Sequence, residues 1–167
     1  AHAPNGILAC VDAGVHSIEH GMYMDDEAMQ AMAENDVYLT LTMAVMQTLT
    51  SSDAVPEYYK TNTESAIEYR RSKMEDAQEA GVKFVMGTDA GAPTLSHGEN
   101  TLELECMVDA GIDPLEAIEI STRQTAEMLE MDETIGVLQD GFDADLIAIK
   151  GDPLEDITTL RDPENID

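Results

Sequence analysis

Val82-Lys83-Phe84-Val85-Met86-Gly87-Thr88-Asp89-Ala90-Gly91, continued by Ala92-Pro93-Thr94-Leu95-Ser96-His97-Gly98, is the stretch on which the reading of this chain turns. Val82 to Met86 is an apolar run of the length of a buried strand. It ends at Gly87 to Gly91, where one carboxylate, Asp89, stands among small residues. A buried strand that emerges into glycines and an acid is how α/β enzymes place a catalytic group at the carboxyl end of a sheet. On this reading Gly87 and Gly91 leave room for a ligand or metal to approach Asp89, and His97 follows in a second small loop.

The rest of the chain repeats the junction that opens this stretch. Ala13-Gly14-Val15 leads into a short strand over Val15 to Glu19 that delivers His20-Gly21. Asn35-Asp36-Val37 leads into a strand over Val37 to Met43, and Ala80-Gly81-Val82 into the strand before Asp89. Helices are expected over Ile7 to Ala13, from a cap at Asp25 or Asp26 to Asn35-Asp36, over Glu64 to Ala80, and over Glu99 to Ala110. A further helix starts at Asp113-Pro114, breaks and restarts near Ser121-Thr122, and ends around Met131. Single strands alternating with helices through short turns imply parallel βα units. Ala44 to Thr63, rich in Thr and Ser with Pro56 and Tyr58-Tyr59, reads as an irregular lid or binding loop, with a plain solvated connection as the even alternative. Beyond residue 132 the pattern changes to short strand candidates, Ile135 to Leu138 and Ala144 to Ile149, so this end looks like sheet. A closed barrel of eight βα units needs about 250 residues. If this is a barrel, the chain holds about half of one.

Composition narrows the partners. Lys plus Arg number 8 against 35 Asp plus Glu, a formal charge of −27. Nucleic acid and anionic membrane both select basic surface, so neither is an expected partner. With 43% apolar residues in periodic runs, the acidity does not mean disorder. A salt-rich cytoplasm is the preferred explanation, with an ordinary acidic protein as the alternative. Cys10 and Cys106 lie in apolar helical patterns without CxxC spacing and read as buried free thiols. No run has the length of a transmembrane span, and no signal peptide is visible. The opening Ala1-His2-Ala3-Pro4, without an initiator Met, looks like the middle of a longer protein.

His2, His20 and Asp89 each stand where a strand ends or should end, and in a parallel βα array those ends share one face. Two imidazoles and a carboxylate suit zinc, manganese or iron. Taken singly each is a weak signal, since a lone histidine after a strand is more often a turn residue. His16, mid-strand, is taken as structural. His97 would touch substrate or cap the next helix, and the residues alone favour neither.

The chain resembles the carboxyl-terminal half of an amidohydrolase-superfamily metal-dependent hydrolase, in the branch of imidazolonepropionase-like proteins and prolidase-type Xaa-Pro dipeptidases. The likeness rests on Ala1-His2-Ala3, Ser17-Ile18-Glu19-His20-Gly21, Gly87-Thr88-Asp89-Ala90-Gly91, His97-Gly98-Glu99-Asn100 and Asp152-Pro153-Leu154, in order along nearly the whole chain. It implies an α/β fold in which residues 1–132 are the second half of a (β/α)8 TIM barrel and residues 133–167 are part of a small composite β-sandwich. It implies metal ligation by His2 after the fifth strand, by His20 after the sixth and by Asp89 after the eighth. Asp89 would also handle the proton of the attacking water. The family's remaining ligands, a His-x-His and a bridging carboxylated lysine, would lie upstream of Ala1. Glu130, Gln124 and Asn35-Asp36 depart from the family pattern, all away from these positions.

The expected activity is hydrolysis of an amide or peptide C–N bond by a metal-activated water, with a binuclear zinc centre in the intact enzyme. A prolidase-like dipeptidase is preferred, with Tyr23 and His97 as candidates to bind the substrate carboxylate. A cyclic-amide hydrolase of the imidazolonepropionase type is the alternative. The rival of another class is a non-catalytic half-barrel. Small molecules or dipeptides would be the substrates, and this chain would pair with the missing amino-terminal half or with a copy of itself.

Overall fold

The computed structural model describes residues 1–167. Three short parallel strands lie side by side in chain order: β1 (Ser17–Glu19), β2 (Tyr38–Thr40) and β3 (Phe84–Val85). Ile18 pairs with Leu39, and Leu39 with Phe84. All three are buried and form the middle of the apolar core. Ala1 continues the sheet beyond β1: its amino group donates to the Glu19 carbonyl, and its carbonyl accepts from Gly21 N–H.

Helices make every crossover. Helix α1 (Pro4–Asp12) starts on proline and ends at Gly14, whose φ of +77° is the left-handed conformation that closes a helix. Helix α2 (Asp26–Glu34) is capped by Asp25, whose carboxylate accepts from Ala28 N–H at 3.0 Å. Its apolar face buries Ala28, Met29 and Met32. Methionines 24, 29, 32, 74 and 107 are all nearly inaccessible, so flexible thioethers fill much of this core.

The reading of Ala44 to Thr63 as an irregular loop is overturned. Helix α3 (Met43–Ser51) and helix α4 (Glu57–Ser72) occupy it, with Pro56 at the N-cap of α4. The hydroxyls that made it look irregular bond to their own helix: Thr48 to the Val45 carbonyl, Thr61 to Glu57 and Thr63 to Tyr59. Such back-bonding lets Thr and Ser sit inside helices that composition argues against. Helix α5 (Met74–Ala80) follows after a one-residue break at Lys73 and closes on Gly81, φ +86°. Helix α6 (Leu102–Asp109) and helix α7 (Pro114–Glu119) come next, α7 capped by Asp113. The expected break near Ser121-Thr122 is a π-helical turn over Ile120–Gln124 that runs into helix α8 (Thr125–Met128). Thr125 Oγ1 there accepts from Met86 N–H just past β3 and donates to the Ile120 carbonyl.

The strands expected over Ile135 to Leu138 and Ala144 to Ile149 are not formed. Residues 133–167 contain one isolated antiparallel bridge, Ile149 to Ile166, and two 3₁₀ turns, at Ile157–Arg161 and Pro163–Asn165. A strand needs a neighbour for its backbone groups, and only the end of the second candidate finds one: Ala148 exchanges backbone hydrogen bonds with Asp167, and Lys150 N–H donates to the Asn165 carbonyl, while residues 135–138 and 144–147 form no bridge. Leu138, Leu146 and Ile147 remain exposed. The tail is nonetheless anchored, because Ile157 and Leu160 join the main core and Arg161 pairs with Glu105 of α6 at 2.6 Å. No helix is long and apolar enough to cross a membrane.

Candidate active site

The carboxyl ends of β1, β2 and β3 form one edge. Each carries a polar residue in left-handed backbone: His20 (φ +73°), Thr42 (φ +51°) and Asp89 (φ +56°). Left-handed φ is uncommon for any residue other than glycine and an outlier for a β-branched one. It turns the chain sharply as it leaves the sheet. Such conformations persist only where the surroundings enforce them, and here they do. Thr42 N–H donates to the Gly87 carbonyl at 3.0 Å, and His20 N–H to the Thr40 carbonyl at 3.1 Å.

His2 and His20 are brought together. Their rings stack with centroids 4.9 Å apart and planes 18° from parallel. The pairing follows from the backbone, since Tyr23 N–H donates to the His2 carbonyl just beyond the Ala1 contacts. Burial depresses the His20 pKa, and the neighbouring His2 adds to this while Asp89 opposes it. His20 Nδ1 lies 2.9 Å from Thr42 Oγ1, which leaves Nε2 as its uncommitted nitrogen.

Asp89 lies two strands from His20, exposed at the start of a tight turn in which Gly91 N–H donates to the Leu95 carbonyl at 2.9 Å. The space assigned to a ligand beside Gly87 and Gly91 is instead filled by protein. A Cβ on Gly87 would meet Thr40 Cγ2 at 2.4 Å, and one on Gly91 would meet His97 Nε2 at 3.1 Å. His97 therefore folds back over the Asp89 turn. It does not cap α6, whose N-cap, Thr101, makes no side-chain cap bond. Tyr23 is about half exposed, its ring 5.8 Å from that of Tyr69. His16 is exposed and precedes β1; only its carbonyl is engaged, by Tyr38 N–H.

Two buried charges lie behind this edge, Glu103, which with Leu104 belongs to the family pattern but has no expected role, and Arg70, which has no counterpart in the sequence reading. Arg70 of α4 donates through Nη1 to the His20 carbonyl. Glu103 of α6 accepts from Met43 N–H and Ala44 N–H, both at 2.7 Å, at the start of α3. Burial lowers the Arg70 pKa to about 10, with Glu103 opposing. Burial raises the Glu103 carboxyl to about 7, against the two backbone donors and Arg70. A signal existed for each. Glu103 sits between Leu102 and Leu104, and Arg70 lies four residues after Ala66, on the buried face of α4.

The donor chemistry of His2, His20 and Asp89 fits a divalent metal. No three His, Cys, Asp or Glu side chains of this chain converge to hold an ion by themselves.

Residues 1–167 match the amidohydrolase family model throughout, and the chain belongs to that family. The ochratoxinase of Aspergillus niger is 31% identical over 170 residues, which is 99% of this chain and 34% of that protein. The structure superimposes on a Xaa-Pro dipeptidase with methionine bound in its active site, with TM-score 0.86 and 38% identity, over 100% of this chain and 41% of the other. A prolidase complexed with N-methylphosphonate-L-proline gives TM-score 0.87 at 28% identity, again over 100% and 41%. The resemblance to prolidase-type members thus holds over a partial length, and the chain spans well under half of the relatives it matches. The mixed α/β fold is that of amidohydrolase structures.

Proposed function

We propose that this chain is the carboxyl-terminal half of a metal-dependent amide hydrolase, with a prolidase-like dipeptidase as the preferred activity. The observation that carries the reading is the arrangement at one sheet edge. His2 is stacked on His20, and Asp89 projects from a strained turn two strands away. Relatives named as a Xaa-Pro dipeptidase and an ochratoxinase support it. In this reading residues 1–132 complete a (β/α)8 barrel with upstream chain. Residues 133–167 become part of a β-sandwich once partner strands cover Leu138, Leu146 and Ile147. A second copy of the chain is the other candidate to cover them.

His2, His20 and Asp89 would hold a divalent metal, with zinc preferred and the remaining ligands supplied from outside this chain. A metal so held lowers the pKa of a bound water to about 7 and polarises a carbonyl. Asp89 orients the attacking water, accepts its proton and returns it to the leaving amine. Tyr23 and His97 flank this edge and are proposed to meet the substrate carboxylate. The alternative substrate is a cyclic amide.

The test is a panel of Xaa-Pro dipeptides against cyclic ureides and imidazolones, run on the intact protein with its metal content measured. Turnover of the dipeptides is expected. Turnover of cyclic amides alone would replace the dipeptidase reading, and no turnover by metal-loaded protein would leave a binding module.

A further inference from the structure

The junction after β2 carries none of the expected site residues, yet it is built like the two that do. Thr42, two residues past that strand, sits in left-handed backbone (φ +51°, ψ +39°), is almost fully buried, and places Oγ1 2.9 Å from His20 Nδ1. Glycine or asparagine would take this backbone with less strain, and a β-branched residue is among the least suited to it. The hydroxyl is therefore what the position retains. Both partners of the contact are fixed from behind: Arg70 holds the His20 carbonyl, and Glu103 holds the two peptide N–H groups that follow Thr42.

We propose that Thr42 is a positioning residue for His20. Its hydroxyl engages Nδ1, fixes the plane of the imidazole and leaves Nε2 to face the site as the ligating nitrogen. In that state Nδ1 carries the proton and donates it to Oγ1, and the lone pair is on Nε2. A histidine ligand whose other nitrogen is held in this way keeps one tautomer and one ring orientation, and losing the holding group typically weakens metal binding about 10- to 100-fold. This inference rests on the metal-site reading above, and the experiment separates the two.

Zinc affinity and stoichiometry are measured on the intact protein for wild type, Thr42→Val, Thr42→Ser and His20→Gln. ¹⁵N spectra of histidine-labelled, zinc-loaded wild type report which His20 nitrogen binds, with His20→Gln providing the assignment. Thr42→Val, which keeps the shape and removes the hydroxyl, is expected to bind zinc about 10- to 100-fold more weakly. Thr42→Ser is expected to stay within about threefold of wild type, since it keeps the group that meets Nδ1. Wild-type affinity in Thr42→Val together with loss of zinc in His20→Gln would overturn the role of Thr42 and leave the metal site standing. Unchanged zinc binding in His20→Gln would overturn both. If Thr42→Val does not fold, the wild-type spectrum decides: Nε2 bound with Nδ1 protonated supports the proposal, and zinc on Nδ1 contradicts it.

Discussion

A left-handed backbone costs a non-glycine residue about 1–2 kcal/mol, and this chain accepts that cost at His20, Thr42 and Asp89. Asp36 and Glu130 adopt it too, in the turns that follow α2 and α8. The opposite choice appears at Gly87, which has ordinary φ but no room for a Cβ, because the methyl of Thr40 would stand 2.4 Å away. Thr40 is buried in β2 and branched at Cβ, so it yields little. Gly87→Ala should lower stability by about 1–3 kcal/mol, the range for overpacking a filled core. The double variant with Thr40→Ser, which removes the offending methyl, should recover most of it. Thermal melts of the two proteins check this, and an unchanged midpoint in Gly87→Ala would show that β2 and β3 are looser than described. His20 and Asp89 stand out as candidates in the sequence because one ends the short strand that Ala13-Gly14-Val15 introduces and the other follows an apolar run. Thr42 could not, since nothing in Leu41-Thr42-Met43 marks the end of the strand two residues earlier.

At the scale of elements, legibility followed locality. Helices α1 and α2, their caps and the three strands announce themselves through turn residues and apolar patterns a few positions apart. Helices α3 and α4 do not, because hydroxyl residues mask their pattern and the start of α3 depends on a remote partner. Glu103, about 60 residues on, satisfies the first N–H groups of α3, which would otherwise be orphaned at a buried helix start. The strands expected after residue 132 failed for the converse reason, since their pattern is strand-like but, apart from the short bridge at Ile149, no neighbour pairs with them. The Glu103 cap has a consequence in pH. Its carboxyl titrates near 7 in the fold against about 4.5 when free, so the folded state holds its proton more tightly. The stability this group contributes is complete below about pH 4.5 and is lost as pH rises through about 7. Glu103→Gln does not titrate. Relative to the variant, wild type should lose on the order of 3 kcal/mol across that window. Urea melts of both proteins at several pH values measure this, and parallel pH profiles would contradict it.

The whole molecule carries −27 formal charges. Of its eight basic residues, Arg71, Lys73, Lys83, Arg123, Lys150 and Arg161 already sit in ion pairs, Arg70 is buried, and only Lys60 is left. Exposed pairs contribute little each, about 0–1 kcal/mol, so they do not offset the repulsion among the remaining carboxylates. Salt shortens the reach of that repulsion from about 10 Å at 0.1 M to about 3 Å at 1 M. The melting temperature should therefore climb as KCl is raised to molar levels. A flat or falling series would sink the reading of a protein adapted to salt.

If Asp89 handles the proton in amide hydrolysis, its amide analogue should fail in the chemical step rather than in binding. Asp89→Asn keeps the shape and one coordinating oxygen but cannot accept a proton at neutral pH. The measurement is steady-state kinetics of the intact Asp89→Asn protein, with metal content determined on the same sample. The expected result is a fall in kcat of about 10²- to 10⁴-fold, the usual range for losing a general acid–base group, with a smaller change in KM. Wild-type turnover by Asp89→Asn with a full complement of metal would show that Asp89 carries no proton in the reaction.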